Sequence, residues 1–507
     1  MSFQISLLDK LTEDLKNLLN SSNEFFDFTI NINYQSQKTY SIECHSAILS
    51  SRSEYFKGLL RSKMKEYQER KVEFFDIRPE IMQSFINYIY TGQIELNHEN
   101  AIEMLVISRK FCSEELIQSI TNYIQKNIHF ENVIDLLELS RQFDFDDLKI
   151  LCLDFICLNL SGFVNHPSFV KLSLEDLEFI LNSDHLPMES ELFILDSVVR
   201  WIEYNKNNEN QLENKVNDLN YDQDIIKKLL YKIRWCDIPK KDIKNSKIHH
   251  FFPKEILSNI LNYKKSLPRN GSFELKQIKY TQLIKEKPKL AVDSDLRLCF
   301  KPRIRFPQTS IIKKLGHVQL LQNWIGDNEF FASMRLVYSS KKDGSSPKRF
   351  HEKCNDLGKT LVLIETSKGF VFGGYTSIGW TTDRSKWREK NQNQGYGFVY
   401  DPKAFIFTIR NPKNYKPTKF PIQSKKPHFA IFQKEDHGPC FGYGDIGIIN
   451  SFNEPLKVFN KFYSNFGWCY QLPDSITYGS KESYHFLAGS YDKWKLKEIE
   501  VFGLLRK

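Results

Sequence analysis

A serine pair, a histidine and a cysteine come close together within Asp343–Trp380. Ser345, Ser346 and His351 could be assembled into a hydrolase site, and His351 with Cys354 into a thiol dyad. However, the sequence has no Gly-x-Ser-x-Gly elbow, and catalytic dyads usually take their partners from distant segments. His351 and Cys354 are three positions apart, on one face of a predicted helix. We therefore interpret these side chains as structural.

A second cluster that could do chemistry contains Asp436, His437 and Cys440. These residue types bind zinc, but a zinc site usually needs four ligands, and no further His or Cys stands at ligand spacing nearby. The glycine-rich GYGDIG that follows lacks the lysine of a phosphate-binding loop. We expect no metal, no cofactor and no catalytic site, so the chain is predicted not to be an enzyme.

The composition favours a folded protein that remains in a reducing compartment. The chain has 507 residues, 41% hydrophobic and 14% aromatic, and a net charge of +9. Such a length suggests three or four domains. The nine cysteines are scattered and form no Cys-x-x-Cys, which argues against a disulfide framework. No stretch of about 18 apolar residues occurs, so we expect no membrane span.

Changes in periodicity along the chain divide it into five parts. An amphipathic helix is predicted within 1–23, a mixed α+β domain over 24–125 and an all-α domain over 126–263. Residues 264–307 are rich in proline, glycine and basic residues, which predicts a solvated basic linker. Residues 308–507 contain closely spaced strands with few helices, which favours antiparallel sheets packed as a sandwich.

Turn and helix signals give the Asp343–Trp380 stretch a structural interpretation. Asp343 and Gly344 predict a turn, and Ser346-Pro347 predicts the start of a helix. Gly358 is expected to end that helix. The pair Gly373-Gly374 lies inside a β run, where glycine allows close approach of a neighbouring backbone.

The first domain resembles the BTB/POZ family. The run HSAILSSRSEYFKGLL, the later YIYTGQIEL and the VEFFDI strand between them carry the resemblance, with signature residues at His45, Leu49, Ser53, Tyr55 and Phe56. The Asp that usually precedes this run in the family is matched only loosely, by Asp27. The resemblance implies an α+β fold that dimerises. The apolar stripe of the N-terminal helix would then lie at a dimer interface, or pack on its own domain.

The second domain is similar to the BACK module, which commonly follows BTB. Its run SLEDLEFILNSDHLPMESELFILDSVVRWIEYN contains Trp201 where the family has a helix-ending tryptophan, and Arg234 follows where the family has an Ile-Arg pair. A kelch propeller is the usual next domain, but a glycine pair occurs only once here and no repeat near 50 residues follows. We therefore reject a kelch propeller.

The third domain resembles the TLDc family. A D-G…F-H-x-x-C-x-x-x-G-x-T…F-G-G-Y…W series carries this resemblance, together with AFIFTI, GPCFGYGDIGI and EIEVFGL. The resemblance implies a mainly β domain that, in relatives, is linked to oxidative-stress protection or binds the vacuolar proton pump. For each signature residue a purely architectural role is the favoured interpretation. These residues are Asp343, Gly344, His351, Gly373, Gly374, Tyr375 and Trp380.

A tripeptide before the third predicted strand suggests a docking loop. BTB adaptors often dock on a cullin through a hydrophobic-x-Glu tripeptide, and Met64-Lys65-Glu66 stands at the matching offset, followed by Tyr67. Methionine is an adaptable anchor for an apolar groove, and Glu66 could meet a cation. The alternative is a solvated, charge-rich loop. We name Met64, Glu66 and Tyr67 as candidate cullin contacts.

The leading hypothesis is a dimeric, non-enzymatic substrate adaptor. The BTB–BACK half would recruit a cullin-RING ubiquitin ligase, and the TLDc half would bind an unknown client. The alternative is a regulator of oxidative stress or of the V-ATPase proton pump that uses BTB only for oligomerisation. We expect no nucleic-acid partner, because no zinc-finger pattern is present. A cytoplasmic location is expected, and KKPH and the basic linker are weak nuclear-import signals.

Overall fold

The computed structural model describes most of the chain between residues 8 and 504. Packing divides the chain into two units, Met1–Cys152 and Leu153–Lys507, and each is considered by itself. The described residues are 8–20, 25–35, 39–62, 65–97, 100–188, 190–209, 225–226, 228–245, 257–258, 261–262, 265, 303, 306–383, 397–449, 461–492 and 494–504.

The first unit contains a three-stranded sheet with β1 (Phe28–Ile32) at its centre. It pairs antiparallel with β2 (Tyr40–Cys44) and parallel with β3 (Lys71–Phe74). A parallel pair needs a crossover connection, and three short helices supply it. They are α2 (Ser46–Arg52), α3 (Glu54–Arg61) and α4 (Lys65–Glu69).

The helices of the first unit cover this sheet. Helix α5 (Pro79–Thr91) begins with proline, as predicted, and ends at Gly92, whose φ is 70°. The rings of Phe56, Phe85 and Phe111 are fully buried. The N-terminal helix α1 (Leu8–Asn20) contacts α5. The remaining helices are α6 (Ala101–Lys110), α7 (Glu114–Asn127) and α8 (Val133–Gln142).

The next region is helical, as the apolar spacing predicts. The apolar spacing of the run FDDLKILCLDFICLNL predicts a single helix. That helix is interrupted at Asn159, whose side-chain amide donates to the backbone carbonyl of Phe155 at 2.8 Å. Such local side-chain bonds compete with helix continuation. The helices are α9 (Asp146–Leu158), α10 (Leu160–Phe163), α11 (Leu174–Asn182), α12 (Glu191–Glu209) and α13 (Lys240–Asn245).

Strands dominate the chain from residue 335 onwards, and every pairing among them is antiparallel. The main sheet has six strands in the order β4-β14-β5-β6-β8-β9. They are β4 (Arg335–Ser339), β14 (Leu496–Gly503), β5 (Thr360–Thr366), β6 (Val371–Thr376), β8 (Phe405–Arg410) and β9 (Thr418–Pro421).

Two smaller sheets lie beside the main sheet. One has the order β11-β10-β7 and the other pairs β12 with β13. Their strands are only two or three residues long. They are β7 (Phe398–Val399), β10 (Ile431–Phe432), β11 (Cys440–Phe441), β12 (Gly447–Ile449) and β13 (Lys461–Tyr463).

Both faces of the main sheet are buried. On one face Val362, Ile364 and Ile406 pack with residues of the small sheets, such as Ile431 and Phe441. This layer agrees with the predicted packing of sheet on sheet. On the other face Leu361, Leu363 and Phe407 pack with helical residues. Those helices are α14 (Leu315–Ile325) and α15 (Asn328–Ser333).

Two helices differ from their predicted bounds for identifiable reasons. The run SIIKKLGHVQLLQNWI predicts a helix from Ser310, but α14 begins only at Leu315. Ser310 N–H donates to the buried Glu500 carboxylate at 2.8 Å, which holds the segment before α14 against the sheet. Helix α17 (Pro347–Cys354) ends before Gly358, because Asp356 N–H donates to the Trp380 carbonyl at 2.7 Å. The other short helices are α16 (Ser340–Asp343) and α18 (Lys481–His485).

The end of the predicted basic linker belongs to the folded unit. Most of residues 264–307 lie outside the described part of the chain, but Arg303 has a fully buried side chain and Phe306 is 1% exposed. For these two residues the expectation of a solvated linker is wrong. Arg303 is drawn inside by hydrogen bonds to Glu191 and to the Leu181 carbonyl.

None of the helices in the described part of the chain is both long enough and apolar enough to cross a bilayer.

Gly373 lies where β5 and β6 approach too closely for any side chain. A Cβ there would stand 1.9 Å from the Val362 carbonyl oxygen and 2.9 Å from the Phe407 ring. We expect Gly373→Ala to lower the free energy of unfolding by more than about 2 kcal/mol. The measurement is the thermal midpoint, with amide exchange of β5 and β6 as the local readout.

Gly316→Ala is the matched control, because nothing lies within 4 Å of a Cβ at Gly316. This helical position should be neutral or slightly stabilised by alanine. Equal melting temperatures and equal exchange rates for the two variants would contradict the close-approach argument.

Candidate functional site

His351 and Cys354 are positioned by α17, which Ser346 caps by accepting from Arg349 N–H at 3.3 Å. The Cys354 side chain is fully buried. Both ring nitrogens of His351 face oxygen atoms: Nδ1 lies 2.8 Å from the side-chain amide Oδ1 of Asn355, and Nε2 lies 3.0 Å from the backbone carbonyl oxygen of Lys434. The geometry therefore fits a structural histidine that ties α17 to a distant loop.

The second cluster is assembled, but its groups face one another or the backbone. His437 Nδ1 lies 2.7 Å from the Asp436 carboxylate. Burial lowers the pKa of His437, with Asp436 opposing that shift. Cys440 donates to the Ile448 carbonyl, and burial raises the pKa of its thiol to about 12. A thiol with such a pKa is a poor nucleophile and metal ligand at neutral pH. Across the described ranges, no group of three or more His, Cys, Asp or Glu side chains is arranged to hold a metal.

The TLDc signature residues lie in the frame of the β-rich domain. Asp343 accepts from Ser339 N–H at 2.9 Å and pairs with Lys353 at 3.3 Å. Gly344 has a φ of 97°, and its carbonyl accepts from the Tyr338 hydroxyl at 2.9 Å. These contacts shape the turn between β4 and α17.

The remaining signature residues pack in the main sheet. A Cβ on Gly374 would lie 2.6 Å from the Phe441 ring, so this glycine allows a small sheet to close on the main one. Trp380 is 1% exposed, and its indole N–H donates to the Thr360 hydroxyl at 2.9 Å. Tyr375 faces the opposite side of the sheet and stacks on Phe405 with centroids 5.3 Å apart.

The BTB signature residues position the helices of the first unit. His45 lies at the start of α2 and bonds the Tyr90 hydroxyl at 2.8 Å. Ser53 donates to the Phe111 carbonyl at 2.8 Å and caps α3 by accepting from Phe56 N–H. Leu49 is fully buried. These side chains are therefore architectural.

Asp27, which matched the family pattern only loosely, has a defined partner. Its carboxylate accepts from Ser46 N–H at 2.7 Å and from the Ser46 hydroxyl at 2.5 Å. These bonds, together with nearby Arg70, outweigh burial and lower the pKa of Asp27. Asp27 thus fixes the start of α2 beside β1.

An aromatic and acidic surface, formed by Tyr55, Glu66, Tyr67, Phe75 and Asp76, lies around α4 and the end of β3. Phe75 is 65% exposed and Tyr67 37% exposed. Burial first, and then the carboxylates of Glu66 and Asp76, raise the pKa of Tyr55. Both carboxylates therefore act on the Tyr55 phenol. We call these five residues the α4 surface.

The α4 surface contains two of the three candidate cullin contacts. Glu66 and Tyr67 lie on α4 itself, so this segment is a helical turn and not an irregular loop. Met64 lies outside the described residues. Phe75 was missed, although strand alternation points to it: in the run Val72–Phe75, Val72 and Phe74 are buried, so Phe75 must face outwards.

A buried charge cluster holds the second unit together around Arg303. Its guanidinium bonds both carboxylate oxygens of Glu191 at 3.1 Å. Arg234 N–H donates to the same carboxylate at 3.0 Å, and the Arg234 side chain pairs with Asp184 at 2.7 Å. Sequence reasoning marked Arg234 only as a family position and missed Arg303. The cluster ties α11 and α12 to the segment that leads into the β-rich domain.

Comparison with known proteins agrees with the three-part architecture. The BTB/POZ domain model matches residues 15–128, the model described as BTB And C-terminal Kelch (BACK) matches 133–247, and the TLDc domain model matches 306–505.

Curated relatives resemble only part of the chain. Kelch-like protein 40 of Xenopus laevis is 24% identical over 240 residues, which are 47% of this chain and 36% of that protein. Kelch-like protein 41 of Homo sapiens is 26% identical over 198 residues, 39% and 32% of the two chains. Kelch-like protein 41b of Danio rerio is 27% identical over 208 residues, 41% and 33%. The chain thus spans about a third of the length of the curated relatives it matches.

Two solved structures resemble a quarter of the chain. The BTB domain of zebrafish PATZ1 is 18% identical, with 25% of this chain and 98% of that chain covered and a TM-score of 0.21. The BTB domain of human Gigaxonin is 20% identical, with 24% and 98% covered and a TM-score of 0.20. The family models thus find a BTB/POZ, a BACK and a TLDc domain in this chain, in the same order as the α+β, helical and strand-rich regions of the fold.

Proposed function

We propose that this protein is a non-enzymatic substrate adaptor. Its BTB–BACK half recruits a cullin scaffold of a ubiquitin ligase, and its TLDc domain binds the client. The ligase supplies the chemistry, and the adaptor raises the local concentration of the client. The observation that carries this proposal is the α4 surface, because the sequence placed a cullin-docking tripeptide at the same location.

The composition of the α4 surface suits a protein partner. Exposed aromatic rings bury a large apolar area at little entropic cost, and such side chains are enriched among interface hot spots. Phe75 directly follows β3, in which Val72 and Phe74 are buried. Asp76 pairs with Lys110 at 2.9 Å, which leaves Glu66 as the carboxylate better placed for a cation of the partner.

The chemistry of the buried His and Cys side chains supports the non-enzymatic part of the proposal. Burial raises the pKa of the Cys44, Cys152 and Cys440 thiols to about 12 in each case. These thiols stay protonated near neutral pH and are enclosed, so they are poor nucleophiles. His351 is committed to two carbonyl oxygens.

One prediction of this proposal concerns cullin binding. We expect the intact chain to bind a purified cullin N-terminal region. Phe75→Ala and the double variant Met64→Ala with Glu66→Ala should each weaken binding about tenfold or more, since hot-spot truncation typically costs at least about 1–2 kcal/mol. The dissociation constant is measured by isothermal titration calorimetry.

Phe179→Ala is the control, because Phe179 is 45% exposed on α11, away from the α4 surface in sequence. Its affinity should stay within about twofold of the unmodified chain. Unchanged affinity for the cullin in both Phe75→Ala and the Met64→Ala, Glu66→Ala double variant would contradict the proposed docking surface. No cullin binding, with capture of proton-pump subunits by the same chain, would instead favour the stress or pump regulator.

We further propose that the BTB half forms a homodimer through α1. This helix contacts α5, yet Leu11 remains 55% exposed, and none of the α1 side chains from residue 10 to residue 20 is buried. An apolar stripe of this kind requires cover. A second copy would supply it by a symmetric interface.

The proposed homodimer predicts the mass of the particle in solution. Light scattering should give about 120 kDa, twice the 59.9 kDa of one chain. Leu11→Lys should shift the mass towards that of a single chain at low micromolar concentration. Glu13→Lys, which adds the same side chain at an exposed position of α1, should leave the dimer intact. A single-chain mass for the unmodified protein would contradict the dimer.

A further inference from the structure

The TLDc domain has a cleft that its signature pattern does not explain. The cleft opens at the edge of the main sheet, between the α14–α15 turn and strands β6, β8 and β9, and its volume is about 780 Å³. Such a volume is in the range of ligand-binding sites. Three aromatic and three basic side chains from separate segments line it: Trp324, Tyr375, Phe405, Lys359, Lys403 and Lys419.

The floor of the cleft is aromatic and rigid. Tyr375 and Phe405 lie on neighbouring strands and stack with an interplanar angle of 25°. They are only 4% and 2% exposed, so each presents a small part of its ring to the cleft. The Trp324 ring packs on Phe407, with centroids 5.8 Å apart. An apolar side chain of a ligand could rest on this floor without disturbing the sheet.

The lysines above this floor are incompletely neutralised. Lys359 is paired with Asp327 at 2.5 Å. Lys419 instead donates to the Trp324 carbonyl at 2.6 Å and lies 4.3 Å from the Phe405 centroid. In the part of the chain that the structure describes, neither Lys403 nor Lys419 has a carboxylate within ion-pair distance.

The charge balance of the cleft is therefore positive. Two carboxylates, Asp327 and Glu329, and three ammonium groups line it. Burial lowers the pKa of Lys419, because the lost hydration of its ammonium ion is not fully replaced by contacts with the protein. A ligand carboxylate near Lys403 and Lys419 would supply that compensation in a site shielded from water on one side.

We propose that this cleft binds an acidic peptide segment of the client, with carboxylates at Lys403 and Lys419 and an apolar side chain on the Tyr375–Phe405 floor. This inference rests on the proposed function, in which the TLDc domain binds the client. The cleft is half open, which leaves room for a passing peptide chain, whereas small metabolites are usually buried over most of their surface.

The test uses the intact chain and a defined probe. The probe is a fluorescein-labelled five-residue peptide with a central tyrosine flanked by two glutamates on each side, and its control has glutamine in place of every glutamate. Binding is measured by fluorescence anisotropy in low salt. The unmodified chain should bind the glutamate peptide, and the glutamine peptide at least about tenfold more weakly, because charge-assisted bonds are lost.

Lysine variants locate the binding. Lys403→Gln should weaken it about threefold to fivefold, as expected for an exposed pair, and Lys419→Gln about tenfold. Lys403→Arg should retain binding, because the charge is kept. Lys413→Gln is the control, since Lys413 is exposed and does not line the cleft. Melting curves confirm that the variants are folded.

Several results would overturn the proposal. The proposal is wrong if the glutamate peptide does not bind, or if the glutamine peptide binds equally well. It is also wrong if Lys403→Gln and Lys413→Gln reduce the affinity for the glutamate peptide equally. Free glutamate that binds as tightly as the peptide would indicate a metabolite site instead. Cullin affinity is measured on the same variants. If the unmodified chain binds the cullin but not the peptide, only the proposal of a peptide-binding cleft is wrong. If the unmodified chain does not bind the cullin, the proposed adaptor function is wrong.

Discussion

The second unit depends on one fully enclosed ion pair, that of Arg303 with Glu191. Removing two charges from water costs several kcal/mol for each ion, and that cost is offset only when the remaining hydrogen-bonding capacity is satisfied. Here the guanidinium also bonds the Leu181 carbonyl, and the carboxylate also accepts from Arg234 N–H. The pair is therefore a cross-link between two BACK helices and the segment before the TLDc domain, with little tolerance for movement.

This cross-link has a functional consequence for an adaptor. The Leu153–Lys507 unit contains both the later BACK helices and the TLDc domain. Further contacts support the junction: Asp154 accepts from Leu315 N–H at 3.0 Å, and Leu158 packs in the core that contains Phe306. In the proposed adaptor, a client on the TLDc domain would thus be held in a fixed position relative to these later BACK helices.

The sequence was informative wherever a single segment carries its own physical reason. Ser346-Pro347 predicts a helix start and produces one, and the β run around Gly373-Gly374 becomes a strand in the closely packed centre of the main sheet. Helix ends were less predictable, because they depend on remote partners. The early end of α17 is imposed by the Trp380 carbonyl, 24 positions after Asp356.

Features assembled from distant segments could not be predicted in this way. Arg303 stood in a basic, proline-rich stretch and was assigned to a solvated linker, since nothing local identifies Glu191 as its partner. The cleft takes lysines from three separate segments, and no spacing rule connects them. Phe75 is different, because its exposure follows from alternation along β3. The contacts of the TLDc signature residues in the β-rich domain are architectural.

The order of strands in the main sheet affects how the chain can fold during its synthesis. β4 and β5 are not direct neighbours, because β14 lies between them and pairs with both. About 160 residues separate β4 from β14, and a ribosome needs roughly 10–30 s to add that many. During that interval the backbone N–H and C=O groups on the β14-facing edges of β4 and β5 have no native partner. Newly made chains would then rely on chaperones to shield these edges from aggregation until translation reaches β14.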